Sequence, residues 1–230
     1  MLTPNDIASM LDHSTLQPFL TDADIEKGCE IALKYHTASV CARPQDMRLV
    51  SRLLEGSGVK SCTVIGFPHG AHRTDVKVYE SERALDDGCQ ELDMVIALGK
   101  FKSGALDAVE ADIRAICEAA HRRSALVKVI LETCYLSPDE IVQACALSER
   151  AGCDFVKTST GYGSYGARPE DVALMRKSVS PHIHVKASGG IRNLDSLLAM
   201  RRAGADRAGV SATEAIMLEA EKRFNEGTLE

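Results

Sequence analysis

Short apolar runs rich in β-branched residues alternate with longer amphipathic stretches along the whole chain. The short runs predict eight strands, at residues 10–11, 38–41, 62–65, 92–96, 126–131, 155–157, 183–186 and 207–210. The stretches between them predict helices, because apolar residues such as Ile25 and Cys29 recur at helical spacing. Ser137-Pro138 is typical of a helix start, and Gly152 is typical of a helix end.

The order of these elements indicates an α/β fold, the single-domain (β/α)8 TIM barrel, because eight strand–helix units fill a chain of 230 residues. A doubly wound open sheet has the same alternation, but it usually carries a glycine-rich fingerprint after its first strand. The segment LDHSTLQP, at residues 11–18, contains no such fingerprint. No linker or low-complexity tract divides the chain, so we predict one barrel domain spanning residues 1–230.

Charge and composition argue against several classes of partner. The formal net charge is −6 and the 27 lysine and arginine residues are dispersed, which argues against nucleic-acid binding. No apolar run reaches the length of about 18 residues that a membrane span needs, and the N-terminal segment lacks signal-peptide features. The eight cysteines show no C-x-x-C spacing, which favours reduced thiols. We therefore predict a cytoplasmic protein that binds neither nucleic acid nor membranes.

Polar and charged residues interrupt the predicted strands near the end where TIM barrels carry their active sites. These residues are Asp12 after the first strand, Cys41 ending the second, Asp93 within the fourth, Lys128 within the fifth, Lys157 ending the sixth and Lys186 ending the seventh. Buried structural ion pairs would explain such a set, most readily for Lys128. An active site would explain it too, and we favour that interpretation for the set as a whole.

Lysine and aspartate in this arrangement favour Schiff-base chemistry. A buried lysine beside a second ammonium group can exist as a free amine, since desolvation and like charge both disfavour the protonated form. A free amine attacks a carbonyl carbon, and the iminium that results accepts electrons when a carbon–carbon bond breaks. Lys157, Lys186 and Asp93 could supply the nucleophile, the second cation and the group for proton transfer.

Two glycine-bearing segments predict a phosphate site. Ser188-Gly189-Gly190 precedes the helix after the seventh strand, and Gly209-Val210-Ser211 precedes the last helix. Backbone N–H groups at these two helix starts form the usual phosphate site of TIM barrels. Tight turns explain either segment alone equally well, so the prediction depends on their occurring together.

A metal site is the main alternative for the chemistry. His182 and His184 have ligand-like spacing along a strand, and His69 and His72 form a second pair. His182 follows Ser180-Pro181 at the N-terminal end of its strand, where TIM barrels do not place their chemistry. We therefore predict that the reaction uses no metal.

Seven segments, taken together and in order, resemble deoxyribose-phosphate aldolase, a family of class I aldolases. They are LDHSTLQP, VCARP, VIGFPHG, ELDMVI, LVKVILETCYL, DFVKTSTGYG and VKASGGIR, and the similarity runs from residue 11 to about residue 216. The resemblance implies a TIM barrel and the reversible cleavage of 2-deoxy-D-ribose 5-phosphate to acetaldehyde and D-glyceraldehyde 3-phosphate. It also implies a homodimer, and a reaction without metal or organic cofactor.

The resemblance implies roles for individual residues as well. Lys157 in KTSTG matches the Schiff-base lysine, Lys186 in VKASGG matches the second lysine, and Asp93 in ELDMVI matches the acid/base aspartate. We expect the substrate or its phosphate to be bound by Asp12, Cys41, Lys128, Thr158, Gly161, Gly189, Gly190, Gly209 and Ser211.

Three features depart from the family pattern. Some members end in a tyrosine implicated in proton transfer, but this chain ends FNEGTLE and has no tyrosine after Tyr165. The last phosphate segment commonly carries two adjacent serines, but here Ala212 follows Ser211, and some members have a lysine where this chain has Tyr162. These departures leave open a related Schiff-base aldolase that takes a different aldehyde or a less strictly phosphorylated substrate. A third hypothesis is a catalytically silent sugar-phosphate-binding protein, although binding alone would not need two desolvated amines.

Overall fold

The computed structural model describes residues 2–229, in which eight parallel strands form a closed barrel. The strands are β1 (Leu11–Thr15), β2 (Ser39–Ala42), β3 (Lys60–Ile65), β4 (Glu91–Val95), β5 (Leu126–Ile130), β6 (Phe155–Lys157), β7 (His184–Ser188) and β8 (Arg207–Val210). Each strand pairs with the next, and β8 pairs with β1. The predicted (β/α)8 TIM barrel is confirmed, while the outer limits of the predicted domain, residues 1 and 230, lie outside the described residues.

Helices cover the outside of the barrel. They are α1 (Pro4–Ala8), α2 (Asp22–Tyr35), α3 (Met47–Leu54), α4 (Thr74–Asp86), α5 (Leu98–Lys102), α6 (Leu106–His121), α7 (Pro138–Arg150), α8 (Pro169–Ser178), α9 (Leu194–Arg202) and α10 (Thr213–Asn225). Short 3-10 turns occupy Pro44–Asp46 and Thr133–Tyr135. Among residues 2–229, no helix is both long enough and apolar enough to cross a membrane.

Local sequence signals fix the ends of α7 as predicted. The Ser137 hydroxyl accepts a hydrogen bond from the N–H of Glu140 at 3.3 Å, and the Glu140 carboxylate accepts one from the N–H of Ser137 at 2.8 Å. Pro138 follows at the first helical position, where its missing N–H costs nothing. Gly152 ends the helix with a φ of 93°, in the left-handed region that favours glycine.

The first strand differs most from its prediction. β1 runs from Leu11 to Thr15 rather than over residues 10–11, so Asp12 lies within the strand and not after it. Asp12 faces the barrel interior, where it meets the Lys186 ammonium, while Leu11 and His13 are buried on the other face. Because the inward residues of β1 are polar, its apolar run stops after one residue, and the sequence pattern ends the strand too early. β7 likewise extends to Ser188, beyond the predicted end at Lys186.

Two buried layers result from the alternation of side chains along each strand. The layer between the strands and the helices is almost wholly apolar, and its fully buried members include Ile7, Leu92, Ile113, Val127 and Leu197. The layer inside the barrel has only a small apolar cluster, formed by Cys41, Cys62 and Val64 among its buried members. The interior also carries a group of charged side chains, which lies beneath the candidate active site.

Candidate active site

A pocket of about 230 Å³ opens at the C-terminal end of the barrel. Nine of the predicted site residues line it: Asp12, Cys41, Lys157, Gly161, Lys186, Gly189, Gly190, Gly209 and Ser211. Three do not line it: Asp93, Lys128 and Thr158. Asp93 and Lys128 lie beneath the pocket, and Thr158 exchanges hydrogen bonds with the backbone of Ser188, which ties β6 to β7. The barrel thus brings the predicted residues to one place.

A larger open groove, of about 780 Å³, lies at the opposite end of the barrel between α3, α4 and the starts of β3 and β4. Its charges are mixed, and Arg48 is paired with Asp87 at 2.5 Å. None of the predicted site residues lines this groove. The chemistry of the smaller pocket, rather than cavity size, therefore locates the candidate active site.

Asp93 is the centre of the buried charges. Its Oδ2 accepts hydrogen bonds from Lys157 Nζ at 2.6 Å and Lys186 Nζ at 2.7 Å, and its Oδ1 accepts one from Lys128 Nζ at 2.9 Å. All four side chains are at most 4% exposed. Strands β4, β5, β6 and β7 are neighbours in the barrel, so their inward residues meet at this carboxylate.

Opposite charges keep Asp93 and Lys186 ionised against the effect of burial. Burial opposes the charge of Asp93, but the ammonium groups around it outweigh burial and hold its pKa well below the usual value. Burial likewise opposes the charge of Lys186, yet the carboxylates of Asp12 and Asp93 raise its pKa above the usual value. Lys186 therefore presents a lasting positive charge to the pocket at neutral pH.

The glycine segments form the wall of the pocket on the side of β7 and β8. Gly189 and Gly190 have φ values of 86° and 80°, so only glycine adopts this turn without strain. A Cβ added to Gly166 would lie 2.2 Å from the carbonyl oxygen of Gly189, so the two loops pack backbone against backbone. Arg192 follows the turn and also lines the pocket. The segment therefore presents both backbone groups and a cation.

Sequence reasoning did not name Arg192, Cys62, Glu91 or Arg207 as functional candidates. Glu91 and Arg207 are two residues from Asp93 and Gly209, on the same faces of β4 and β8, so strand alternation carried a signal for both. Arg192 stands directly after the SGGI segment, where a cation beside a glycine turn was a second signal. The side-chain contact of Cys62 with Asp93, at 3.3 Å, depends on the closed barrel and had no comparable signal.

One set of side chains offers the ligand types of a metal site. The thiols of Cys41 and Cys62 and an oxygen of Asp93 all lie within 4.8 Å of one another. Both oxygens of that carboxylate already accept hydrogen bonds from lysines. A metal ion would therefore have to compete with three ammonium groups for the same carboxylate. His184 begins β7 at the N-terminal end of the barrel, and its Nδ1 lies 3.5 Å from Asp206. That the reaction uses no metal stays a prediction.

Comparison with known proteins agrees with this geometry. A model of the DeoC/LacD family aldolases matches residues 6–219. The chain belongs to this aldolase family. The deoxyribose-phosphate aldolase of Geobacillus sp. (strain WCH70) is 51% identical over 213 residues, which cover 93% of this chain and 95% of that protein. The deoxyribose-phosphate aldolase of Clostridium perfringens (strain 13 / Type A) is 50% identical over 210 residues, or 91% of this chain and 93% of that one.

A solved structure supports the same assignment. The tetrameric deoxyribose phosphate aldolase of Aeropyrum pernix superposes with a TM-score of 0.89 at 34% identity, covering 97% of this chain and 92% of that chain. The family resemblance read from the sequence is therefore confirmed, as is the prediction that the chain is an aldolase and hence a lyase.

Proposed function

We propose that this aldolase reversibly cleaves 2-deoxy-D-ribose 5-phosphate to acetaldehyde and D-glyceraldehyde 3-phosphate through a Schiff base on Lys157. The observation that carries the proposal is the position of Lys157, whose Nζ reaches the base of the pocket while sharing the Asp93 carboxylate with the ammonium group of Lys186. The names of the relatives from Geobacillus and Clostridium support the choice of substrate.

The reaction follows from the three groups. The free amine of Lys157 attacks the C1 aldehyde of the open-chain sugar, and loss of water gives an iminium. A base removes the proton of the C3 hydroxyl, and C3 becomes the aldehyde carbon of D-glyceraldehyde 3-phosphate as the C2–C3 bond breaks. The electrons of that bond enter the iminium to give an enamine. Protonation of C2 and hydrolysis then release acetaldehyde and restore the amine. Asp93 Oδ2 contacts both lysine nitrogens, so it is placed to pass protons between Lys186 and the reacting centre.

The remaining predicted residues are assigned to substrate recognition. We assign the phosphate to the backbone and side-chain donors of the wall formed by Gly161, Gly189, Gly190, Gly209 and Ser211, with the Arg192 cation beside them. Asp12 and Cys41 line the base of the same pocket, where the sugar carbons would lie. Lys128 and Thr158 act from beneath the pocket, the first on Asp93 and the second on Ser188.

Trapping with borohydride tests the assignment of the nucleophile. Borohydride added with acetaldehyde reduces the Schiff base, and peptide mass spectrometry is expected to find one ethyl group on Lys157 and lasting loss of activity. Lys77 is a matched internal control, because it is also buried and paired with a carboxylate, Asp112 at 2.6 Å, but lies outside the barrel interior. EDTA alone is expected to leave activity unchanged. Labelling of another lysine, or activity lost to EDTA and restored by zinc, would overturn the assignment.

A second function, a related aldolase with a different or unphosphorylated substrate, is favoured by one observation. Tyr162 lines the pocket, and its hydroxyl donates to the carbonyl oxygen of Leu16 at 3.1 Å, where some family members offer a cation instead. Measuring kcat and KM for 2-deoxyribose, its 5-phosphate and a panel of acceptor aldehydes separates the two. The first proposal expects the phosphorylated sugar to be preferred by at least about 100-fold in kcat/KM, the effect of a few charged hydrogen bonds.

We also propose a cytoplasmic homodimer that acts as one domain over residues 1–230. The eight cysteines are free and seven of them are buried, which supports a reducing compartment. The closed barrel supports a single domain. The relative from Aeropyrum pernix is described as a tetramer, so light scattering at several protein concentrations is the measurement that decides between two and four subunits.

A further inference from the structure

Six charged side chains, five of them buried and the sixth, Arg207, 14% exposed, form a closed ring inside the barrel. Cations and carboxylates alternate around this charge ring, in the order Asp12, Lys186, Asp93, Lys128, Glu91 and Arg207. The six contacts between neighbours measure between 2.5 and 3.0 Å. Lys157 joins the charge ring from outside, through Asp93 Oδ2 at 2.6 Å. The proposed nucleophile thus contacts a charge ring that extends well beyond the pocket.

Arg207 and Glu91 close the charge ring at the end of the barrel opposite the pocket. The Arg207 guanidinium donates to Asp12 Oδ1 at 3.0 Å and to both oxygens of Glu91 at 2.7 and 2.8 Å. The ring of Phe155 lies beside this cation, with its centroid 5.8 Å from the guanidinium carbon. Neither Arg207 nor Glu91 lines the pocket, so neither is placed to touch the substrate.

The charge ring is neutral by itself, with three positive and three negative members. Burial opposes each charge, but the neighbouring ammonium groups hold the pKa values of Asp12 and Asp93 below their usual range. Burial also opposes the charge of Lys128, but the adjacent carboxylates outweigh it and raise the pKa of this lysine well above its usual value. Each carboxylate of the charge ring is therefore already balanced by a cation. An uncharged amine at Lys157, which the reaction needs, adds no charge, so the cluster as a whole is then neutral.

We propose that Glu91 and Arg207 are positioning residues for the reaction, which complete the neutral charge ring that holds Asp93 and Lys186 against Lys157. Without Arg207, Asp12 would retain only lysine partners, and it would compete more strongly with Asp93 for Lys186. The arrangement at the pocket would then loosen although no group touching the substrate had changed. The proposal rests on the Schiff-base function proposed above.

All eight strands contribute a titratable group that faces this cluster. These groups are Asp12, Cys41, Cys62, Glu91, Asp93, Lys128, Lys157, Lys186 and Arg207. Cys62 stays a thiol, because burial raises its pKa well above the usual value. The pKa of Cys41 is lowered by its hydrogen bond with Cys62, so Cys41 is the thiol that can ionise here. A Cys41→Ser background therefore removes the titration of this thiol from the comparison.

Opposite shifts of the pH profile test the proposal. In Arg207→Gln, kcat for cleavage of 2-deoxyribose 5-phosphate is expected to fall by about tenfold or more while KM changes less than about threefold. The acid limb of kcat/KM should move up by about one pH unit, because an ammonium loses its proton less readily once a neighbouring positive charge is gone. In Glu91→Gln the acid limb of kcat/KM should move down by a similar amount, because a neighbouring negative charge is removed. The double variant restores neutrality and should return the limb to its wild-type position.

Matched variants separate positioning from a merely structural role. Arg223→Gln removes an arginine that also bridges two carboxylates, Asp195 and Glu219, but on the surface of α10, and the limb should stay in place. Arg207→Lys should recover part of kcat. If both single variants lose activity while the acid limb stays unmoved, the proposal is overturned. If Arg207→Gln does not fold, Glu91→Gln and the double variant decide the question by the same two shifts.

A second readout separates this proposal from the proposed function. The rate at which borohydride traps acetaldehyde on Lys157, followed as a function of pH, needs the amine but no turnover of a sugar phosphate. Wild-type protein that traps acetaldehyde but does not cleave the substrate would contradict the proposed substrate, and the charge ring would still be testable. A trapping profile that is the same in wild type, Arg207→Gln and Glu91→Gln would contradict the charge ring alone.

Discussion

The inside of the barrel and the layer outside it are both buried, yet they are built from opposite chemistry. The outer layer is mostly apolar, with fully buried residues such as Leu92, Ile113 and Val127. The interior carries the charge ring, whose six members are alternately positive and negative. Each apolar side chain buried outside the barrel stabilises the fold by about 1.5–3 kcal/mol, whereas a buried ion pair often contributes little net stability.

The difference assigns separate tasks to the two layers. Strand alternation directs successive residues to opposite layers, so the same β4 that packs Leu92 outward directs Asp93 inward. The helices pack only on the apolar layer, which leaves the interior free to hold charge. The fold therefore depends mainly on the outer layer, and the reaction depends mainly on the inner one. Four predictions test this separation.

Lys157→Ala should produce the largest change in activity with the smallest change in stability. We expect turnover to fall by at least about 10⁴-fold, since the covalent step is lost. The charge ring is complete without Lys157, so the melting temperature should equal or exceed that of the wild type. Steady-state kinetics and calorimetry on the same preparation measure both. Turnover within about tenfold of wild type would contradict the assignment of the nucleophile.

Lys186→Met should lower kcat by about 10²- to 10³-fold, because it removes the ammonium group next to the proposed nucleophile and opens the charge ring. Loss of this positive charge makes a neighbouring ammonium harder to deprotonate, so the rate should recover in part at alkaline pH. The measurement is kcat from pH 6 to about 10. A profile that is lowered but keeps its shape would mean that Lys186 binds substrate or transfers protons directly.

Ile113→Ala should act on the outer layer alone. Its side chain is fully buried, so truncation should lower the free energy of unfolding by about 2–5 kcal/mol. The kcat of the folded fraction should stay within about twofold of wild type, because α6 packs outside the barrel and contributes no pocket residue. Urea titration and kcat at a temperature below both transitions measure the two effects. A large loss of kcat would show that the layers are coupled.

The smallest effect concerns His13, a polar residue of the outer layer. Burial lowers the pKa of this imidazole from its usual 6.5 to about 4, while Thr213 Oγ1 lies 2.8 Å from its Nδ1. The unfolded chain binds a proton at this site as the pH falls from 6.5 towards 4, and the folded chain does not. The contribution of neutral His13 to the free energy of unfolding is therefore complete above pH 6.5. About 3 kcal/mol of that free energy is lost by pH 4.

Urea titrations at pH 7 and pH 4.5 measure this loss for His13 by comparing the wild type with His13→Gln. His13→Gln should remove most of the pH dependence, since an amide does not take up the proton. His182→Gln is the matched control, because that histidine is 74% exposed. If the free energy of unfolding falls as steeply with pH in His13→Gln as in the wild type and in His182→Gln, the acid sensitivity belongs to other groups.

The sequence predicted the outer layer better than the inner one, for a physical reason. Periodicity reports apolar burial, and it located β4, β5, β6 and β8 within a residue at each end. It failed at β1, where Asp12 and Ser14 face inward and interrupt the apolar run. Polar residues of the interior were visible only where apolar neighbours surrounded them, as around Lys157.

Contacts across the barrel were outside the reach of the sequence. Arg207 and Glu91 are separated by 116 positions along the chain, and they meet because β8 and β4 face each other across the closed barrel. Each alone resembles the ordinary charged end of a surface strand. Only closure of the barrel, which depends on all eight strands, brings Glu91 and Arg207 into one charge ring with Lys186. Most of the residues that line the pocket were therefore predictable, while the contacts that Glu91 and Arg207 make beneath it were not.

The backbone contact between Gly166 and Gly189 has a kinetic consequence. The loop that follows Lys157 and the turn proposed to hold the phosphate press on each other without side chains between them. Fixing one of them therefore restrains the other. Free energy released where the phosphate binds, far from the breaking bond, becomes available to lower the barrier at that bond. A group of the substrate that never reacts would then contribute to kcat as well as to affinity.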